Sequence, residues 1–215
     1  MNKNYFPILL DITNFKCLVI GGGMISYRKI MNLLEFDAEV TCLSPVFCKK
    51  IENLIEQSKI NFIKREYQEN DVHNYQLVFC ATGVPEVEQL IKNDCDKYKI
   101  LLNVADVPDL CHFIMPATIK KGYLTVSIAS QGKSPFFVKH LKDEIANSLN
   151  PNLEQISILA AKFREILISN PNLTKEIQDT LIEKFLKTDW PDIINSQGEE
   201  EAYKKMKEFF IFAVL

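Results

Sequence analysis

The sequence predicts an α/β protein: a parallel sheet wound with helices, then a small β segment, then a tail of helices alone. Three observations carry that prediction. An apolar run, Cys17-Leu18-Val19-Ile20, passes directly into Gly21-Gly22-Gly23, and a helical pattern opens behind it with Ile25, Ile30, Leu33 and Leu34 near a 3.6-residue repeat. Strand-like and helix-like runs then alternate with short links as far as Asp106, the order that right-handed crossovers turn into a parallel sheet. From Pro151 onward only helical patterns remain.

Taken in order, residues 5–10 form a short apolar lead into the first strand. Behind the glycines a helix is expected over 25–36, then a strand over 38–43 that stops at Ser44-Pro45. Residues 49–57 place Ile51, Leu54 and Ile55 at helical spacing, and 60–64 read as a third strand. Leu77-Val78-Phe79-Cys80-Ala81 is apolar throughout, as a strand covered on both faces must be. Thr82-Gly83 turns the chain, 85–98 forms the next helix, and 100–104 makes a strand ending in Ala105-Asp106. Residues 113–119 and 123–129 are β runs joined by a turn at Lys120-Lys121-Gly122. In the second run Leu124, Val126 and Ile128 alternate with Thr125, Ser127 and Ala129, a half-buried antiparallel pattern. Ser134 as N-cap and Pro135 in the first turn open a helix running to Ser148, with Phe137, Leu141 and Ile145 on one face. Helices are expected over 153–169, 174–187 and 199–215, separated by Asn170-Pro171-Asn172 and Asp189-Trp190-Pro191-Asp192.

The totals narrow the function classes. A net charge of −3 on 215 residues provides no global field for nucleic acid or an anionic membrane, so neither is expected as a partner. No apolar stretch approaches the roughly 20 residues that span a bilayer, and no signal-peptide pattern is read at the start. The six cysteines form no C-x-x-C pair and three lie in apolar strand-like runs, so they read as small buried hydrophobes in a reducing cytoplasm. His73, His112 and His140 are scattered away from cysteines, and no metal site is expected.

Strand, glycine turn and helix in that order make the phosphate-binding corner of a doubly wound domain. Gly21 allows the tight turn, Gly23 lets the backbone approach a pyrophosphate, and the helix N-terminus presents free N–H groups to it. Ser26 stands where a third glycine often sits and is small enough for strand–helix contact. Ligands of such sheets lie at the carboxyl ends of the strands, which singles out Gly21, Gly22, Gly23, Met24 and Ile25, then Ser44 and Pro45, Ala81 and Thr82, and Val104 to Asp106. Asp106 is the one strand-end carboxylate in that set; it is a general acid or base, or else a turn residue before Val107-Pro108. The place for a ribose-binding acid holds Ser44-Pro45 instead, and nearby Lys49 and Lys50 keep NADP open beside NAD. Between His112 and Lys142 lie Lys120, Lys121, Lys133, Lys139 and His140 without any acid, a segment suited to a polyanion or simply a solvated face. The loop Ser130-Gln131-Gly132-Lys133-Ser134 opening onto a helix is a second anion seat.

With these motifs in hand, the chain resembles the precorrin-2 dehydrogenase family, including the dehydrogenase modules of siroheme synthases. The resemblance rests on Tyr5-Phe6-Pro7-Ile8, Cys17 to Gly23, Arg28-Lys29, Ala81-Thr82, Asn103-Val104-Ala105-Asp106, Phe113 to Ala117 and Ser130 to Pro135, in that order. It implies an N-terminal Rossmann domain over 1–112, a central β-containing dimerisation segment over 113–148 and an all-helical domain over 149–215. It also implies a cytoplasmic homodimer that oxidises precorrin-2 to sirohydrochlorin with NAD as cofactor, Asp106 as the catalytic aspartate that takes a proton, and Ser130, Gly132, Lys133 and Ser134 on the substrate side. Some members also insert Fe2+, so ferrochelatase activity stands as an alternative, with a non-catalytic NAD-sensing module as a more distant one. Two positions depart from the family pattern: Gly83-Val84 and Glu88 replace acidic residues and a later asparagine, and Gln131 replaces a common glycine.

Overall fold

The structure is a computed structural model, and it describes residues 3–211. The chain folds into two compact units, one ending at Met115 and the other beginning at Pro116.

The first unit is a five-stranded parallel sheet in the order β3-β2-β1-β4-β5, so the strand order reverses between β1 and β4. The strands are β1 (Lys16–Ile20), β2 (Glu39–Leu43), β3 (Asn61–Ile63), β4 (Leu77–Cys80) and β5 (Leu101–Val104); the helices are α1 (Met24–Leu34), α2 (Lys49–Glu56) and α3 (Pro85–Tyr98). Side chains alternate across a strand, and here the alternation builds two cores. Cys17, Val19, Val40, Cys42, Leu77 and Phe79 pack with Ile30 and Leu33 of α1 and Ile51 and Leu54 of α2. Leu18, Ile20, Leu43, Val78, Cys80, Leu102 and Val104 pack on the opposite face with Ile91 and Cys95 of α3. Burial pushes the Cys17 thiol up to about 11 and those of Cys42 and Cys95 to about 12, so all three are inert at neutral pH.

No helix joins β3 to β4. The connection is held by two acids instead: Asp94 of α3 accepts from Tyr67 Oη at 2.5 Å and Asn70 N at 2.8 Å, and Asp71 takes both guanidinium nitrogens of Arg65. Helix α3 stops at Lys99, whose φ of +57° makes a left-handed cap.

The second unit opens with an antiparallel ribbon, β6 (Ala117–Lys121) and β7 (Leu124–Ile128), followed by α4 (Pro135–Ser148). The expected strand over 113–119 is corrected: it begins only at Ala117, since Pro116 lacks an N–H for a ladder. The turn is Gly122-Tyr123 rather than Lys120 to Gly122, and Gly122 at φ +57° gives the two-residue hairpin its hand. Four helices complete the unit: α5 (Leu153–Ser169), α6 (Lys175–Lys187), α7 (Trp190–Gln197) and α8 (Glu199–Ile211). Their core gathers Phe163, Phe185, Trp190, Met206, Phe209 and Phe210. Helix α7 replaces a predicted separator: Asp189 accepts from Asp192 N as N-cap and Pro191 sits in the first turn, both helix-starting signals. Residues 212–215 of the last expected helix lie outside the described residues. Among the described residues no helix is long and apolar enough to cross a membrane.

Candidate dinucleotide site

All five parallel strands of the first unit end on one edge, and the residues singled out there are bound to one another. Gly21 N donates to Leu43 O at 2.9 Å, Ala81 N to Ile20 O at 2.8 Å and Ala105 N to Cys80 O at 2.8 Å, which carries the ladder one residue past β1, β4 and β5. Gly21 holds φ +117°, and a Cβ there would stand 2.4 Å from Ala81 O and 2.9 Å from Ser26 Oγ. A Cβ at Gly22 would stand 1.8 Å from Val46 O. These two glycines therefore serve the protein's own packing.

Gly23 differs. A Cβ there would meet nothing within 4 Å. Gly23 is the N-cap of α1, the first helical bond runs from Tyr27 N to Gly23 O at 3.0 Å, and no side chain caps the end. The N–H groups of Met24, Ile25 and Ser26 thus have no acceptor inside the helix. Ser26 is fully buried, and its hydroxyl has no hydrogen-bond partner among the described residues. An open glycine, three free N–H groups and an orphaned hydroxyl together fit an anionic group such as a pyrophosphate.

Beside the corner, Ser44 is buried and its hydroxyl donates to Val46 O at 2.8 Å, while Cys48 N donates to Gly22 O at 2.8 Å. The loop containing Pro45 is thereby fastened against the glycines. The two lysines that kept NADP open are engaged: Lys49 lies 3.7 Å from Glu52 and 3.8 Å from Glu56, and Lys50 lies 5.2 Å from the Tyr27 ring centroid.

On the β4–β5 side, Thr82 Oγ1 accepts from Val84 N at 3.3 Å and Gly83 N donates to Glu88 Oε1 at 3.1 Å. Val104 N donates to the buried Cys111 sulfur at 3.2 Å, and that thiol lies 3.2 Å from Val104 O. Asp106 follows in the left-handed region at φ +61°, exposed to solvent. Aspartate tolerates that conformation better than most residues, so the turn and the carboxylate are compatible.

Three neighbours of this corner were not singled out by pattern. Lys29 of α1 is half-buried, donates to Asn103 Oδ1 at 3.2 Å and lies 5.4 Å from the Phe79 ring centroid. Burial pulls its ammonium below the ordinary lysine value, while Cys111 and Asp106 draw it back up. Lys3 Nζ donates to the carbonyls of Asp109 and Cys111 at 2.7 Å and of Pro108 at 3.1 Å, so the N-terminal arm clasps the short 3-10 turn after Asp106. The Arg28-Lys29 motif was the one sequence signal for Lys29; nothing local marks Lys3. Glu88 is the third, a glutamate on a helix start that turns out buried.

The remaining candidates lie in the second unit. Ser130 Oγ accepts from Ser134 N at 2.9 Å and Ser130 O from Lys133 N at 2.9 Å, with Gln131 and Gly132 at φ +57° and +77°. Ser134 occupies the N-cap of α4 without making a side-chain cap bond. This closes a compact loop with Lys133 exposed at its rim.

Comparison with known proteins agrees with the geometry. The family model NAD_binding_7, described as "Putative NAD(P)-binding", matches residues 8–117. A siroheme synthase of Vesicomyosocius okutanii subsp. Calyptogena okutanii (strain HA) is 35% identical over 162 residues, 75% of this chain and 35% of that protein. One from Ruthia magnifica subsp. Calyptogena magnifica is 33% identical over 162 residues, 75% of this chain and 34% of that protein. The chain spans about a third of the length of these curated relatives. Among solved structures, SirC, a precorrin-2 dehydrogenase, shares the fold with a TM-score of 0.75 at 23% identity, covering 97% of this chain and 98% of that one. The matched family span takes in all five parallel strands and the open glycine corner, and the chain belongs to this NAD(P)-binding family.

Proposed function

We propose that the protein is an NAD-dependent dehydrogenase that oxidises precorrin-2 to sirohydrochlorin in siroheme biosynthesis. The observation that carries this reading is the corner at Gly23, where the first-turn N–H groups of α1 have no acceptor inside the helix and a Cβ on the glycine would meet nothing within 4 Å, with the buried Ser26 hydroxyl left without a partner among the described residues behind it. The names of the relatives and of SirC support the substrate. Gly23, Met24 and Ile25, on the turn that Gly21 and Gly22 close, would hold the pyrophosphate, Ser44 and Pro45 the adenosine side, and Ala81, Thr82 and Val104 the nicotinamide side. Bound NAD+ supplies a hydride acceptor. The substrate also loses a proton, and the exposed Asp106 carboxylate is the group that takes it.

The loop of Ser130, Gly132, Lys133 and Ser134, with the free N-terminus of α4, serves the substrate's carboxylates. Residues 113–148 act as a dimerisation segment between the Rossmann domain (1–112) and the helical domain (149–215). Among residues 117–149 only Ile119 is buried, while Tyr123 is 77%, Phe136 80% and Phe137 52% exposed. A two-stranded ribbon with so little core calls for a second copy to cover it. Six unpaired cysteines, nearly all buried, suit the reducing cytoplasm.

The test is incubation of the pure protein with precorrin-2 and NAD+ while the sirohydrochlorin spectrum is followed. Wild type should convert it; Asp106→Asn, which keeps the left-handed turn, should bind NAD+ normally and lose about 10²- to 10⁴-fold in turnover. Unchanged turnover would make Asp106 a turn residue only. Adding Fe2+ to the product reads the alternative, iron insertion.

A further inference from the structure

Glu88 sits in the first turn of α3 and is 5% exposed. Its Oε1 accepts one hydrogen bond, from Gly83 N at 3.1 Å, and no lysine, arginine or histidine among the described residues pairs with it. A buried carboxylate ordinarily lies against a cation, because desolvation of the charge is otherwise uncompensated. The positive end of α3 offsets part of that penalty. The described residues present no full counter-charge.

The surroundings indicate where one comes from. Glu88 anchors from below the loop that leaves β4 at the edge where the strand order reverses. In a sheet of this type the glycine corner takes the pyrophosphate and the end of β2 the adenosine ribose, which leaves the β4–β5 side for the nicotinamide half. Gly83 faces open space, since a Cβ there would meet nothing within 4 Å. Its N–H points at Glu88, so the trans peptide directs the Thr82 carbonyl the opposite way, and the peptide dipole adds negative potential on the side away from α3.

We propose that Glu88 is the fixed counter-charge for the oxidised nicotinamide ring, favouring NAD+, whose ring is cationic, over NADH, whose ring is neutral. The inference rests on the dinucleotide reading of the site given above. It assigns the residue a role in turnover: the attraction vanishes when the ring is reduced, so the reduced cofactor leaves more readily. Glu88 acts through the field across the Gly83 peptide and is a positioning residue, not a catalytic one.

Glu88→Gln separates charge from shape, because the amide oxygen can still accept from Gly83 N. Dissociation constants of NAD+ and of NADH are measured by titration calorimetry on the full chain, with circular dichroism as a check on folding. A unit charge acting across one peptide group at intermediate dielectric constant changes affinity by about fivefold to tenfold. The variant should therefore weaken NAD+ by about that factor and leave NADH within about twofold. An unchanged NAD+/NADH ratio, or equal weakening of both, overturns the proposal and leaves Glu88 as a loop anchor. Should Glu88→Gln fail to fold, Glu88→Asp and Glu88→Asn replace it, with the ratio kept by the first and lost by the second. Wild type that binds neither nucleotide refutes the dinucleotide reading and this inference with it; wild type that binds both, with a ratio indifferent to Glu88, refutes the inference alone.

Discussion

The two ends of the glycine triplet should respond oppositely to one methyl group. Gly23→Ala places a Cβ where nothing lies within 4 Å, at φ −89° and ψ −172°, which alanine adopts without strain. Loss of a glycine N-cap and the reduced entropy of the unfolded chain nearly cancel, so stability should change by no more than about 0.5 kcal/mol, or about 2 °C in Tm. An N-cap side chain lies beside the first-turn N–H groups, so the same methyl group should narrow an anion's approach to them. Displacing a pyrophosphate from two charge-assisted hydrogen bonds removes about 3 kcal/mol of binding, or about two orders of magnitude in Kd for NAD+. Gly21→Ala meets φ +117° and a backbone carbonyl at 2.4 Å, so it should lose about 3 kcal/mol or more of stability. Calorimetric titration with NAD+ beside thermal melts of both variants reads the pair. If Gly23→Ala binds NAD+ as wild type does, the corner seats no pyrophosphate and the cofactor reading collapses.

Two further outcomes follow from particular contacts. Burial alone would raise the Asp71 carboxyl, but the Arg65 guanidinium and Gln68 N–H more than offset it and hold the carboxyl below its usual value. A depressed carboxylate stabilises the fold above its unfolded value of about 3.9 and ceases to as pH falls through the folded value. Asp71→Asn should thus lose about 1 kcal/mol at pH 7, discounted for the partly exposed Arg65, and the gap to wild type in urea unfolding should close below about pH 3.9; a gap independent of pH would refute the attribution. Phe136, 80% exposed, lies on the surface proposed to pair two copies. Phe136→Lys should convert a dimer to monomer in sedimentation velocity, since the symmetric loss removes about 4 kcal/mol of apolar burial. A variant sedimenting as wild type does would place the interface elsewhere.

Much of the α/β architecture was legible because the signals are local. The apolar run at 17–20, the glycines behind it and the helical spacing of Ile30 and Leu33 lie within one turn or strand of each other, and the structure puts β1, the corner and α1 there. Helix α3 begins at Pro85 and ends at Tyr98, and α5 runs from Leu153 to Ser169, both with the expected bounds. The misreadings are local conflicts. Asp189 and Pro191 carry loop and helix-start signals at once, and the packing of Trp190 against Phe185 and Phe209 selects the helix. Phe113 and Ile114 have β-forming side chains, but Pro116 lacks a ladder N–H and no strand among the described residues pairs with the run.

The site divides along the same line. From the sequence alone came the phosphate corner, the strand-end residues and the single strand-end acid at position 106, because spacing along the chain determines which residues a parallel sheet delivers to one edge. Only the tertiary structure decided that Gly21 and Gly22 serve packing while Gly23 stays open, and that, among the described residues, the Ser26 hydroxyl has no partner and Glu88 is buried without a cation. Those properties depend on what the rest of the chain brings within a few ångströms: the Ala81 and Val46 carbonyls, and the Gly83 N–H above the glutamate. A side chain's partners come from the packed fold, and no periodicity along the chain encodes them.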